Sequence, residues 1–294
     1  MISLLRRAAR SLEGGKPQPL LGPLATLFYS LASRRPRLFF VDKEGRWVNR
    51  QGRSAIVSPV IHTLEHEALE QNDLDHWAYG YRPRPGDVIV DVGAGIGEEV
   101  IPFSRLVGPG GRVIAIEAHP GTFDCLRETV RRSGLGNVEL VSCAVTAKDG
   151  TLAISNDVDH LGNSVIGVSG GVEVPARSLD SLAAELGLER IDLLKMNIEG
   201  AEKPALEGMG EMIGRVRHIA ISCHDFLAER GGPEAMRTRE AVAAFLRGHG
   251  FELERRLDDP RPWVPDYLYG ARRAPAGGPV RRATSPSPST SEGV

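Results

Sequence analysis

Asp91-Val92-Gly93-Ala94-Gly95-Ile96-Gly97 sets a carboxylate and three glycines at alternate positions behind the β-branched run Val88-Ile89-Val90. A carboxylate can hold an ammonium or a hydroxyl, and glycines let main-chain N–H groups approach a ligand that side chains would keep away. The pattern predicts a buried strand that empties into a tight turn and opens a helix at about Ile96. Twenty positions beyond Gly97, the run Arg112-Val113-Ile114-Ala115-Ile116 ends in Glu117. An acid at that place is set to accept hydrogen bonds from ribose hydroxyls. Together the two segments specify a nucleoside-binding α/β site.

The glycine spacing narrows the ligand. Dinucleotide sites use G-x-G-x-x-G, with a pyrophosphate on the helix N-terminus. Here the third glycine comes one residue early, and Glu98 stands where that fingerprint needs glycine. Glu98 and Glu99 suit the positive end of a helix dipole but repel a pyrophosphate. A phosphate-free ligand carrying an ammonium and a sulfonium fits better than a dinucleotide.

A second constellation is Ile191-Asp192-Leu193-Leu194-Lys195-Met196-Asn197-Ile198-Glu199-Gly200-Ala201-Glu202. An apolar strand ends in an amide and a carboxylate, and a glycine turns the chain into a helix. Ligands of open α/β sheets bind beyond the carboxyl ends of the strands, so Asn197 and Glu199 are expected in the same crevice as Gly93–Gly97. Glu202 reads equally as a helix cap and as a functional group. His224, in Ile221-Ser222-Cys223-His224-Asp225, follows the next apolar strand. An imidazole with an ordinary pKa of about 6.5 suits a general base, the alternative being a loop-capping histidine. Asp225 is a candidate to orient it. His62-Thr63-Leu64-Glu65-His66 matches the H-x-x-E-H zinc signature, with both histidines on one face if it is helical. Zinc also needs a further ligand and a supporting fold. The ordinary reading is an amphipathic helix ahead of Trp77, Tyr79 and Tyr81, which pack against the sheet or close over the ligand.

These residues require elements that alternate. Strands are expected at Val88–Val92, Val113–Glu117, Val138–Val145, Ile191–Ile198 and Ile219–Cys223, with two more near Phe251–Leu257 and Asp266–Tyr269. Helical signals separate them, as in a doubly wound sheet. An insertion, Thr151–Ser155 and Gly171–Pro175, reads as a β-arm whose loop holds His160, Asn163 and Ser164, either acceptor contacts or turn residues. Residues 1–82 are expected to form a mainly helical N-terminal cap with a hairpin around Glu44-Gly45, residues 83–272 the ligand-binding domain, and 273–294 a disordered tail rich in Pro, Ser, Gly and Thr.

Composition sets the outer bounds. The chain has 294 residues, 41% hydrophobic and 25% charged, with a formal net charge of −2, which gives no argument for a nucleic-acid partner. Cys125, Cys143 and Cys223 form no C-x-x-C pair and read as reduced, buried thiols of a cytoplasmic protein. No apolar run approaches the ~20 residues of a membrane helix, and no signal peptide is evident. The first forty residues are basic, and Ile2, Leu4, Leu5 and Leu12 lie among those charges. A helix packed on its own domain is the ordinary reading; weak peripheral contact with an anionic membrane surface is the alternative.

Asp91-x-Gly93-x-Gly95-x-Gly97 resembles the first motif of class I S-adenosylmethionine methyltransferases. With Ile116-Glu117-Ala118-His119-Pro120 and Asp192–Glu202, roughly residues 84–225 resemble the FkbM family of methyltransferases. The resemblance implies a Rossmann-like, seven-stranded α/β fold and O-methylation of a hydroxyl on a sugar, glycolipid or secondary metabolite. S-adenosyl-L-methionine would be the cofactor, and no metal is implied. Gly93, Ala94, Gly95 and Gly97 would hold the methionine moiety, with Asp91 at its amino group. Glu117 would take the ribose, and Cys143 and Ala144 would lie by the adenine. Asn197, Glu199 and His224 would face the acceptor, with His224 as the base. The family usually reads Lys-x-Asp-x-Glu-Gly-x-Glu, so Asn197 stands where an aspartate is usual; an amide can orient a hydroxyl or the cofactor but cannot take a proton. That departure raises one alternative, a catalytically silent cofactor-binding protein. An NAD-dependent dehydrogenase and a zinc protease are the others.

Overall fold

Strand Val88–Val92 carries apolar side chains toward both faces, and such a strand is stable only between two covering layers. The computed structural model, which describes residues 21–155 and 171–272, supplies both. The N-terminal part runs α1 (Leu21–Ser33), β1 (Leu38–Val41), β2 (Trp47–Gln51), β3 (Ser54–Ser58) and α2 (His66–Trp77). Strands and helices then alternate: β4 (Val88–Val92), α3 (Val100–Val107), β5 (Arg112–Glu117), α4 (Pro120–Ser133) and β6 (Val138–Ser142). A small separate sheet follows, of β7 (Ala144–Val145), β8 (Gly150–Ile154) and β9 (Val172–Arg177). The rest is α5 (Leu179–Glu185), β10 (Ile191–Met196), α6 (Glu202–Glu207), β11 (Val216–Ser222), α7 (Asp225–Glu229), α8 (Arg239–Gly248), β12 (Phe251–Glu254) and β13 (Tyr267–Arg272).

The main sheet has seven strands in the order β12-β13-β11-β10-β4-β5-β6, and β13 runs antiparallel to both its neighbours. From β4 the chain winds outward through β5 and β6, then crosses back to β10. The split between β4 and β10 is therefore the topological switch point, where open α/β sheets bind ligands. Alternate residues divide between two cores. Val90, Val92, Ile114 and Ile116 pack on one side with α5, α6 and α8 through Leu182, Leu206 and Val242. Ile89, Val113 and Ala115 pack on the other with α3, α4 and α2 through Phe103, Leu126 and Trp77.

Several local expectations need correction. The expected strand Val138–Val145 breaks at Cys143: β6 stops at Ser142, and Ala144–Val145 leaves to pair in parallel with β9. The glycine turn continues through Glu99, so α3 starts at Val100 rather than near Ile96. Helix α2 starts at His66, which removes the helical face that would have aligned His62 with it. The N-terminal hairpin gains a third strand, β3, whose residues are all buried. Its outer edge is closed by hydroxyls of α4: Thr129 Oγ1 accepts from Val57 N at 3.0 Å and Ser133 Oγ from Ala55 N at 2.9 Å. Side-chain acceptors thus replace a neighbouring strand. Among the described residues no helix is long and apolar enough to cross a membrane. The basic first twenty residues, the loop with His160, Asn163 and Ser164, and the tail from residue 273 lie outside the described residues.

Register places Asp91 of β4 beside Lys195 of β10, and the two side chains meet at 2.8 Å, 0% and 1% exposed. Lys195 Nζ also donates to the Gly93 carbonyl at 2.9 Å and lies 4.9 Å from the centroid of the Trp77 ring. Removing one member leaves the other as an uncompensated buried charge. Lys195→Met should therefore cost about 3–5 kcal/mol in urea unfolding followed by circular dichroism, and adding Asp91→Asn should recover part of it. A loss below about 1 kcal/mol, the range of exposed ion pairs, would show that the pair is not the brace described here.

Candidate functional site

The switch point opens into a cavity of about 380 Å³, within the range of roughly 300–1,000 Å³ common for small-ligand sites. One end is built by the glycine turn. Gly93 N and Ala94 N both donate to Ile116 O, at 2.9 and 3.0 Å, which ties the turn to the end of β5. Gly93 has φ 77°, and a Cβ there would lie 2.0 Å from the Asn197 carbonyl oxygen. The two strand exits thus touch backbone to backbone, and only glycine permits it. At Gly95 a Cβ would meet nothing within 4 Å, because the turn there faces open cavity.

Glu117 closes this end. Its Oε2 accepts from Gly95 N at 3.0 Å and its Oε1 from His119 N at 2.8 Å. Burial pushes the carboxyl up to about 7 despite those two backbone donors. Each oxygen keeps a lone pair for a further donor, as a ribose diol requires. Cys143 and Ala144 form the adjoining wall; burial pushes the Cys143 thiol up to about 12, so it serves as an apolar surface.

Of the residues singled out in the sequence, Gly93, Gly95, Glu117, Cys143, Ala144, Asn197, Glu199 and His224 line the cavity. Asp91, Ala94 and Gly97 do not. Asp91 pairs with Lys195 beneath the turn. Burial opposes the Lys195 charge, but Asp91 and Glu99 outweigh it and raise the ammonium's pKa. Gly97 serves packing: at φ 94° a Cβ would come within 2.8 Å of Leu126 Cδ1. Glu98 and Glu99 reach the wall from the turn's far end. Burial pushes Glu99 up to about 7, and it accepts from Trp77 Nε1 at 3.2 Å. Trp77 is buried and stacks on Tyr267, Tyr81 stacks on His218, and Tyr79 bonds Glu254; Tyr267 itself lines the cavity.

The H-x-x-E-H residues do not converge. His62 Nε2 pairs with Glu98 Oε1 at 2.7 Å, whereas His66 is pushed down to about 3, chiefly by burial. Among the described residues no group of three His, Cys, Asp or Glu could hold a metal ion.

At the other end the chain leaves β10 through Asn197, whose Oδ1 is buried without a hydrogen-bond partner. Glu199 follows at φ 48°, a left-handed conformation that costs a non-glycine residue about 1–3 kcal/mol. This turn aims its carboxylate at His224, and Glu199 Oε1 lies 3.1 Å from Nε2. Glu202 Oε1 lies 3.0 Å from Nδ1 on the opposite edge of the ring. Glu202 is fully buried and fixed by Gly200 N at 3.2 Å and Thr238 Oγ1 at 2.9 Å. Burial alone would lower the imidazole's pKa, but hydrogen bonds to Glu199 and Glu202 overwhelm it and push it up to about 10. Both ring nitrogens face carboxylate oxygens, which favours the imidazolium. An imidazolium carries both protons and has no free nitrogen to accept another, so this arrangement does not favour the expected general-base role of His224. Asp225 does not orient it; its Oδ2 accepts from Thr238 N and Arg239 N at 3.1 and 3.0 Å.

Sequence reasoning missed Thr238, Phe226, Tyr267 and Trp263. No spacing links them to the motifs, since the last three reach the cavity from segments beyond β11.

The profile of the methyltransferase FkbM domain matches residues 91–253. The chain is 30% identical over 210 residues to the 31-O-demethyl-FK506 methyltransferase FkbM of Streptomyces tacrolimicus, covering 60% of this chain and 76% of that one. It is 28% identical over 213 residues to methyltransferase sdnD of Sordaria araneosa, covering 60% and 77%. It is 26% identical over 190 residues to the 2-O-methyltransferase NoeI of Sinorhizobium fredii, covering 56% and 77%.

The state of His224 has a pH signature. Its folded pKa lies above the ordinary value of about 6.5, so its contribution to stability is complete below that pH and disappears as pH rises through about 10. The melting-temperature gap between wild type and His224→Asn should narrow steadily over this interval and close above it. A gap that does not change with pH would contradict the imidazolium.

Proposed function

The chain belongs to the FkbM methyltransferase family, and from that premise we propose that it transfers a methyl group to a hydroxyl oxygen of a small molecule or glycan. It is an S-adenosylmethionine-dependent methyltransferase; the oxygen acceptor is our reading. The observation that carries this reading is the Glu199–His224–Glu202 chain, which puts a carboxylate in the same cavity as the glycine turn. Two relatives bear names that specify O-methylation, the 31-O-demethyl-FK506 methyltransferase and the 2-O-methyltransferase NoeI.

The residues present fit the cofactor. The open face at Gly95, the Glu117 carboxylate and the unpartnered Oδ1 of Asn197 suit a molecule with a ribose diol and an ammonium and no phosphate. In this reading Glu117 holds the ribose, Cys143 and Ala144 flank the adenine, and Gly93 and Gly95 admit the methionine portion. Asn197 Oδ1 accepts from its ammonium, the role Asp91 gives up to Lys195. Bound there, S-adenosylmethionine supplies an electrophilic methyl group on a sulfonium.

The chain's own work is positioning and proton removal. Well-oriented reactants gain up to roughly 7–11 kcal/mol from alignment alone. The acceptor hydroxyl donates to Glu199, which would align its oxygen for the methyl group that the cofactor would supply, with S-adenosylhomocysteine leaving as the product. The hydroxyl proton passes to the Glu199 carboxylate and from there to solvent. His224, held by Glu202 and Thr238, keeps that carboxylate in place.

Calorimetric titration with S-adenosylhomocysteine tests the cofactor half: Glu117→Ala should weaken binding by about 1–3 kcal/mol. Glu199→Gln should retain that affinity yet lower turnover by about 10²–10⁴, scored as S-adenosylhomocysteine release over a panel of methyl glycosides and secondary alcohols. Unchanged turnover in Glu199→Gln would remove Glu199 from the reaction. Tight cofactor binding without turnover on any hydroxylated acceptor would favour a silent binding protein.

A further inference from the structure

The chain has three tryptophans; Trp47 and Trp77 are 7% and 2% exposed, whereas Trp263 is 40% exposed on the cavity wall. Large exposed rings usually have local explanations. Tyr79 has one, because its hydroxyl bonds Glu254 and Arg256 lies over its ring. Trp263 has none: among the described residues its ring stacks on no other ring and carries no cation, and its indole N–H finds no acceptor.

Nor is it a loose surface side chain. The segment that presents it is pinned on both sides. Arg261 pairs with Asp259 at 2.7 Å and with Asp75 of α2; Arg256 bridges the same two carboxylates at 2.7 and 3.0 Å. Arg255 donates to the Pro265 carbonyl at 2.6 Å. Asp266 is bound by Arg239 and accepts from Phe226 N at 2.9 Å, which couples the segment to the start of α7. The segment that carries Trp263 is therefore fixed against α7, and its indole lines the same cavity as Phe226, Glu199 and His224.

We propose that Trp263 and Phe226 form the platform that selects the methyl acceptor, and that the acceptor is a sugar ring. This rests on the methyltransferase reading above. A pyranose has a flat face of polarised C–H bonds and a rim of hydroxyls. The negative face of an indole attracts such C–H bonds, and a ring seated there turns its rim toward the Glu199 carboxylate. The indole N–H remains as a donor for a ring oxygen or hydroxyl. A flexible aliphatic alcohol offers no flat face and gains little from a rigid platform.

Fluorescence isolates the contact, because buried Trp47 and Trp77 are shielded from a collisional quencher. Methyl glycosides of hexoses, 6-deoxyhexoses and hexuronic acids, with cyclohexanol as a ring lacking the polar rim, are titrated to tens of millimolar with and without S-adenosylhomocysteine. At least one glycoside should shift the emission to the blue and protect it from acrylamide, and cyclohexanol should not. For that glycoside, Trp263→Ala should raise the KM for transfer about tenfold with a smaller change in kcat, and Trp263→Tyr should recover most of it. Absence of any shift with every glycoside, or an equal shift with cyclohexanol, overturns the proposal. Failure of S-adenosylhomocysteine to bind counts against the methyltransferase reading alone, since the fluorescence signal needs no cofactor.

Discussion

The buried pair of Lys195 and Asp91 is the constraint on which the site depends. It joins the two central strands at the point where the winding reverses, and the same ammonium grips the Gly93 carbonyl. Desolvating two charges is expensive, and it is tolerable here because the partners are close and the ammonium has a carbonyl and an indole face as well. The geometry this enforces is the near-contact of Gly93 with Asn197. Both halves of the cavity hang from that contact: the turn that leads to Glu117 and the exit that leads to Glu199.

A second consequence of burial is the exchange of roles at the acceptor end. Histidine near a crevice reads as a base because its ordinary pKa is close to neutral. Two carboxylates on opposite edges of the ring oppose that by favouring the charged imidazole, and in the proposed reaction Glu199 is the group that meets the hydroxyl. Glu202, which as a sequence feature could be a cap or a functional group, is fixed by Gly200 N and Thr238 and acts through His224. The same logic keeps Asp91 off the cavity wall. A carboxylate's partner decides its work, and partners from other strands are invisible along the chain.

What was legible in the sequence follows from locality. The strand sequence of the sheet and the cavity positions of Gly93, Glu117, Asn197 and Glu199 follow from apolar runs and from the rule that ligands sit at strand ends. The helix start at Val100 was missed because the glycine turn extends through Glu99, and a turn's length is set by what it packs against. Strand β3 was missed because Ser54-Ala55-Ile56-Val57-Ser58 is short and gets its edge partners from Thr129 and Ser133, more than seventy residues away. Trp263 lay in a segment with no periodicity, and its place at the cavity follows from long-range arginine–aspartate ties. Pairwise, nonlocal chemistry was the part that could not be read.

The left-handed backbone at Glu199 sets stability and activity in opposition. Glycine would relieve that torsion at no steric cost, so selection for robustness alone would drift this position toward glycine and delete the carboxylate. In laboratory evolution toward thermal tolerance, a gain in melting temperature from glycine at position 199 would, on the proposed mechanism, come with a loss of turnover, and libraries screened only for folding should leave that position fixed.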